Sequence, residues 1–254
     1  MAKTIALAGK GGTGKTTVSA LLIKYFLREG QTPILAVDAD PNANLNELLG
    51  VEVEITLGEI KNELRTAVPQ GMARADFVEM RLNEAIIETD HFDLIVMGQP
   101  EGPGCYCAAH AFLSQALEKL VRHYLYVVVD NEAGMEHLSR LNLREVDHLL
   151  IVSDASLRGI LTAARIASLI EPLQLEVGHI WLLVNRAPNH VPQALDKYAK
   201  EVCEEKGLYF LGYLPESGEI FEKEIKREPL LTLEEETEIV QKAYKLFEEM
   251  IKGG

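Results

Sequence analysis

One unbroken run, Gly9-Lys10-Gly11-Gly12-Thr13-Gly14-Lys15-Thr16, carries the densest chemistry in this chain of 254 residues. It matches G-x-x-x-x-G-K-[ST]. Its glycines let consecutive backbone N–H groups turn inward as an anion cradle, and a helix N-terminus just beyond adds positive potential. Lys15 then reaches the β- and γ-phosphates of a nucleotide, and the Thr16 hydroxyl takes Mg²⁺. A second candidate is Cys105-Tyr106-Cys107, which follows the helix-breaking loop Gln99-Pro100-Glu101-Gly102-Pro103-Gly104. Cysteines this close rarely satisfy disulfide geometry. One chain offers two thiolates, short of a closed tetrahedral site, and a two-fold dimer brings four onto its axis. Thiolates suit Zn²⁺, Ni²⁺, Cu⁺ or an iron–sulfur cluster and do not choose among them. Cys107-x-x-His110 is a rival arrangement in which His110 completes the set; otherwise His110 is a surface or packing residue of a helix over 108–121. Cys203 shares a helical face with Leu195, Tyr198, Ala199 and Val202 and reads as core.

The elements that must position these groups follow from periodicity. Nearly continuous apolar runs at Thr4–Ala8, Ile34–Asp38, Leu94–Met97, Tyr126–Asp130, Leu149–Ser153, Ile180–Asn185 and Tyr209–Leu214 predict strands covered on both faces. Helical patterns at Thr16–Glu29, Leu157–Ile170 and Gln193–Lys206 lie between them. This alternation predicts an α/β protein, a single doubly wound, mostly parallel sheet with helices on both faces, in one domain spanning 1–254. Residues 51–90 interrupt the alternation and are read as a helical crossover or insertion. A final helix is expected over 232–252, capped by Thr232 with Glu235 three residues later. The cradle thus falls between a strand and a helix, and Asp38 and Asp130 close two other strands.

With Lys10 the loop reads Lys-Gly-Gly-x-Gly-Lys-Thr-Thr, ending on Thr17, and resembles the deviant Walker A loop of the MinD/ParA/nitrogenase-iron-protein class of P-loop ATPases. The resemblance implies two subunits sandwiching ATP. Lys10 then reaches into the facing active site and stabilises charge on the transferred phosphoryl group. It further implies that Asp38-Ala39-Asp40-Pro41 is a first switch, in which Asp38 holds a Mg²⁺-bound water and Asp40 orients the attacking water. Asp130-Asn131-Glu132-Ala133-Gly134 is the corresponding second switch, with Asp130 near the metal and Gly134 near the γ-phosphate. Asn185-Arg186 and Leu214-Pro215 resemble the adenine-binding pair, which favours ATP over GTP.

Two further motifs narrow the resemblance, Gly104-Cys105-Tyr106-Cys107 and a second switch running from Asp130 through Glu136-His137-Leu138-Ser139-Arg140. Together they look like the CooC-type maturation ATPases, which assist nickel insertion into carbon monoxide dehydrogenase or acetyl-CoA synthase. The implied protein is an ATP-gated homodimer. ATP closes it and assembles or alters a site of four thiolates for Ni²⁺ or Zn²⁺; hydrolysis to ADP reopens it toward the client enzyme. The driver is the differential affinity of ATP and ADP for the closed state. His137 is read as a capping or solvated residue, with nucleotide sensing as the alternative.

Two rivals are weighed. A reductase with an intersubunit iron–sulfur cluster, like the nitrogenase iron protein, takes one cysteine from each of two loops, and residues 130–144 contain none. A MinD/ParA-like positioning ATPase needs a basic membrane helix or a basic DNA-binding surface. Here the last helix bears Glu234, Glu235, Glu236, Glu238, Glu248 and Glu249 against Lys242, Lys245 and Lys252, and the chain has 25 Lys+Arg against 39 Asp+Glu, a net charge of −14. That balance opposes nucleic acid and anionic lipid as partners. No apolar run approaches the ~20 residues of a membrane span. No signal peptide is read at the start, and three cysteines suit a reducing cytoplasm.

Overall fold

A computed structural model describes residues 2–98, 115, 117–132 and 145–253. In chain order the elements are β1 (Lys3–Ala8), α1 (Lys15–Arg28), β2 (Ile34–Asp38), α2 (Leu45–Leu49), α3 (Leu57–Thr66), α4 (Arg74–Ala85), β3 (Ile87–Glu88) and β4 (Asp93–Val96). They continue with β5 (Tyr126–Asp130), β6 (Glu145–Asp154), α5 (Leu157–Ala167), β7 (Glu176–Ala187), α6 (Gln193–Lys206), β8 (Tyr209–Pro215), α7 (Gly218–Lys226) and α8 (Glu238–Lys252). The strands form one eight-stranded sheet in the order β3-β4-β2-β5-β1-β6-β7-β8. Every neighbouring pair is parallel except the short edge pair β3–β4.

Alternation along β1 divides the core. Ile5 and Leu7 pack with α1, α2 and α8, while Ala6 and Ala8 pack with α3, α4, α5 and α6. Successive strand side chains point to opposite faces, so a strand with helices above and below is apolar throughout. The expected fold class is the observed one.

The strand order also sets the site. β1 lies between β5 and β6, and β5 lies between β1 and β2. In that register Asp38 is opposite Asp130, and Asp130 is opposite Leu7. The two carboxylates therefore emerge side by side at the carboxyl ends of adjacent strands, next to the loop that leaves β1, where open α/β sheets bind ligands.

The 51–90 stretch folds as α3, α4 and the antiparallel β3. A capping box starts α3: Glu59 N donates to Thr56 Oγ1, and Thr56 N donates back to Glu59 Oε2 at 2.7 Å. Of the helix expected over 108–121, residues 115 and 117–121 are described and helical.

The C-terminal helix corrects the sequence reading. α8 starts at Glu238, not at a Thr232 cap. Residues Leu230–Thr232 instead form a 3₁₀ turn with Leu230 and Leu233 buried. Thr232 Oγ1 donates to Pro229 O at 2.6 Å, and Glu235 pairs with the buried Lys24 at 2.7 Å. Burying two leucines and pairing Glu235 with Lys24 outweighs a local cap of about 1 kcal/mol. The apolar stripe of α8, including Ile239, Val240, Phe247 and Met250, is buried with α1.

Candidate nucleotide site

α1 begins without a side-chain cap. Gly14 precedes it with φ 86°, in the left-handed region, and no side chain accepts the first-turn amides. Those amides are the donors that an anion takes at a helix N-terminus. Gly14 is needed for two reasons. A side chain there would be strained, and its Cβ would lie 2.4 Å from Asn185 Nδ2.

Lys15 folds back on the loop that bears it. Its Nζ donates to Gly9 O at 3.2 Å and Lys10 O at 3.4 Å. Burial pushes its pKa down, while Asp130, Asp40 and Glu132 oppose that shift. Thr13 Oγ1 tightens the same loop by donating to Lys10 O at 2.9 Å.

The carboxylates divide their roles. Asp38 is fully buried, and its two oxygens accept from Asp40 N (3.1 Å) and Leu45 N (2.9 Å). It therefore pins the first-switch loop to the start of α2. Burial raises its pKa to about 6, with the amides of Leu45, Asp40 and Asn44 holding it back and the Asp40 charge adding to the rise. Asp130 accepts from Ser19 Oγ at 3.1 Å on Oδ1, while its buried Oδ2 has no hydrogen-bond partner. Burial raises Asp130 to about 7; Asp38 pushes the same way, and the Thr16 and Ser19 hydroxyls and Lys15 oppose it. An orphaned carboxylate oxygen beside the Thr16 hydroxyl fits a hard divalent cation such as Mg²⁺. Asp40 accepts from Asn42 N and Asn42 Nδ2, both at 2.9 Å, in an Asx turn.

A cavity of ≈ 590 Å³ opens over these elements. Its floor is the loop and first turn of α1, namely Gly11, Gly12, Gly14, Lys15, Thr16 and Thr17, flanked by Asp40, Glu132 and Arg186. Asn42, Asn44, Glu47 and Leu48 form one wall, and Lys223, Glu224, Arg227 and Glu228 form another. Gly9, Lys10, Thr13, Asp38 and Asp130 support the floor without lining it.

Of the residues expected at the adenine, Asn185 and Arg186 bond the phosphate loop, and Arg186 also lines the cavity. Asn185 Nδ2 donates to Thr13 O at 2.9 Å, so its amide braces the phosphate loop, and Arg186 donates to Gly12 O at 3.2 Å. Leu214 and Pro215 at the end of β8 are buried, Leu214 completely. Cys203 is buried as expected, and burial pushes its thiol up to about 11.

Cys105, Cys107, His110, Gly134 and His137 lie outside the described residues. Among the described residues no group of three His, Cys, Asp or Glu is arranged to hold a metal ion.

Several site residues escaped sequence reasoning. Ser19 reads as one more helical residue yet bonds Asp130. Asn131 is buried and donates to Leu7 O at 2.8 Å, leaving its Oδ1 unpartnered. The α7 wall carried no motif; a Ser217 cap, whose Oγ accepts from Ile220 N, was the available signal.

A family model described as the CobQ/CobB/MinD/ParA nucleotide binding domain matches residues 4–230. The chain is 42% identical over 252 residues to an uncharacterized ATP-binding protein of Methanocaldococcus jannaschii, covering 97% of this chain and 98% of that protein. It is 33% identical over 190 residues to the carbon monoxide dehydrogenase accessory protein CooC of Rhodospirillum rubrum, covering 68% and 70%. The septum site-determining protein MinD of Pyrococcus horikoshii, solved with Mg-ADP, superimposes with a TM-score of 0.73 at 23% identity, covering 99% and 97%. At that identity the likeness speaks for the fold.

Proposed function

The chain belongs to the CobQ/CobB/MinD/ParA nucleotide-binding family, and from that premise we propose that it hydrolyses Mg·ATP to drive metal-centre maturation in the manner of CooC. One observation carries the ATPase reading: Lys15, Thr16 and Asp40 line one cavity, and Asp38 and Asp130 stand side by side at the strand ends next to its phosphate loop, so three separate segments meet there. In this reading the loop amides and Lys15 bind the phosphates. Lys15 trades its bonds to Gly9 O and Lys10 O for phosphate oxygens, so little reorganisation is needed. Thr16 and Asp130 hold Mg²⁺, which neutralises charge on the phosphates when bound. Asp38 keeps the first switch in place, and Asp40 orients the attacking water. Lys10 comes from the facing subunit of a homodimer, and the adenine is read near Asn185, Arg186, Leu214 and Pro215.

The metal-delivery part rests on Cys105-Tyr106-Cys107, on the second switch from Asp130 through Gly134 and His137, and on the likeness to CooC. Two chains supply four thiolates for Ni²⁺ or Zn²⁺, and the client is carbon monoxide dehydrogenase or acetyl-CoA synthase. The experiment is metal analysis of protein purified without oxygen, with and without ATP, in the wild type and in Cys105→Ser/Cys107→Ser. About half a metal ion per chain is expected in the wild type, since two chains share one four-thiolate site. None is expected in the double variant, with ATP affinity retained. Equal metal content in both would sink the thiolate site, and brown protein with iron–sulfur absorption would favour a reductase.

A positioning ATPase of MinD type is the second reading, favoured by the fold likeness. Against it, the apolar stripe of α8 is occupied by the core and is not free for lipid.

A further inference from the structure

α7 ends on Arg227. Arg227 N donates to Glu224 O at 3.2 Å and Glu228 N reaches back to Lys223 O at 2.9 Å, the pair of bonds that closes a helix on a left-handed residue. Arg227 holds that conformation at φ 54°. Glycine adopts it without strain and is the usual occupant; an arginine there is strained. The backbone is fixed on both sides. Lys223 Nζ ties Glu228 Oε2 (2.7 Å) to Thr232 Oγ1 (2.8 Å), and the Pro229 ring packs against Gly50 at the end of α2. A position that glycine would fill with less strain thus supplies a guanidinium, and observed strain of this kind points toward function.

The guanidinium lines the nucleotide cavity. The other cations lining it are already engaged: Lys15 with Gly9 O, Arg186 with Gly12 O, and Lys223 with Glu228. Among the described cavity cations, Arg227 makes no side-chain hydrogen bond or ion pair. Its wall is built by the end of α7, an element separate from the loop and first turn of α1 that form the cradle, and both face one cavity. A nucleotide with its phosphates on Gly11–Thr17 has its nucleoside left to meet this wall.

We propose that Arg227 recognises the nucleoside of the bound nucleotide, its planar guanidinium covering the face of the purine. The proposal rests on the nucleotide-binding reading of the Gly9–Thr16 loop.

Calorimetric titration of wild type, Arg227→Gly and Arg227→Lys with Mg·ATP and with Mg·tripolyphosphate tests it. Arg227→Gly should weaken ATP about tenfold and leave tripolyphosphate within about twofold of wild type. Its nucleotide-free melting temperature should be unchanged or up to about 2 °C higher, because the strained backbone is relieved. Arg227→Lys, which keeps the charge and loses the planar face, should also weaken ATP. Unchanged ATP binding in Arg227→Gly, equal weakening of both ligands, full rescue by lysine, or a melting temperature lowered by more than about 3 °C overturns the proposal. Wild-type protein that binds neither ligand overturns the nucleotide reading itself, before any variant is compared.

Discussion

Asn185 spans 172 positions to place its amide on Thr13 O, tying the phosphate loop to the end of β7. Asn185→Ala leaves the carbonyl short of a buried donor, an expected cost of about 1–2 kcal/mol in urea unfolding. ATP affinity should fall with it, since the cradle loses its brace; unchanged affinity would detach Asn185 from the site. His148 works at the other end of the sheet. It is buried, accepts a hydrogen bond from Trp181 Nε1 at 3.2 Å on Nδ1, and stacks on His179. Burial lowers its pKa to about 4, His179 and Lys3 push the same way, and Asp147 opposes. The unfolded chain, with a histidine pKa near 6.5, therefore binds the proton more readily than the folded one. Neutral His148 contributes its full stability above pH 6.5 and loses it as pH falls toward 4. Urea midpoints between pH 7.5 and 4.5 should thus drop more steeply in the wild type than in His148→Asn. Parallel curves would remove His148 from the acid response.

Among the elements, α8 is held into the core along its whole apolar stripe. Phe247 is fully buried beside Tyr25 of α1, with ring centroids 6.0 Å apart, and Met250 and Ile239 extend the same face. Phe247→Ala should cost about 3–5 kcal/mol and lower the melting temperature by roughly 10 °C. A shift under about 2 °C would mean that the stripe is not part of the core. α8 also illustrates how local signals lose. Thr232 and Glu235 form a plausible cap pattern, but Glu235 is drawn to Lys24 and Leu230 and Leu233 are drawn inward. α7 illustrates the reverse case. None of its residues is buried, and Phe221 and Ile225 are 62% and 67% exposed. Its periodicity therefore marks no core face, and its place as a cavity wall was not legible.

For the whole molecule, the proposed function makes the working unit two chains. Lys10 is exposed and its carbonyl accepts from Thr13 Oγ1 and Lys15 Nζ, and the proposed function sends its side chain to a facing subunit. On that reading Lys10→Ala should abolish both ATP turnover and ATP-dependent dimerisation, read by phosphate release and by light scattering after size exclusion. A monomeric Lys10→Ala with full turnover would refute a role across the interface. Lys15→Ala should lose turnover while the fold persists, since its bonds are to the loop alone. The acidic cavity walls at Glu47, Glu132, Glu224 and Glu228 favour a nucleotide as its magnesium complex over the free anion.

The phosphate loop, the alternation of strands and helices, and the core face of the helix that carries Cys203 were determined by the sequence alone. Each depends on residues within a few positions of one another, where backbone freedom and periodicity speak directly. Tertiary structure alone decided that Asp38 and Asp130 stand side by side, that Ser19 serves Asp130, that Asn185 braces Thr13, and that Arg227 looks into the cavity. Those juxtapositions follow from strand order and from helices crossing between layers. The apolar pattern of a strand records that both its faces are covered, and carries no information about which strand lies beside it.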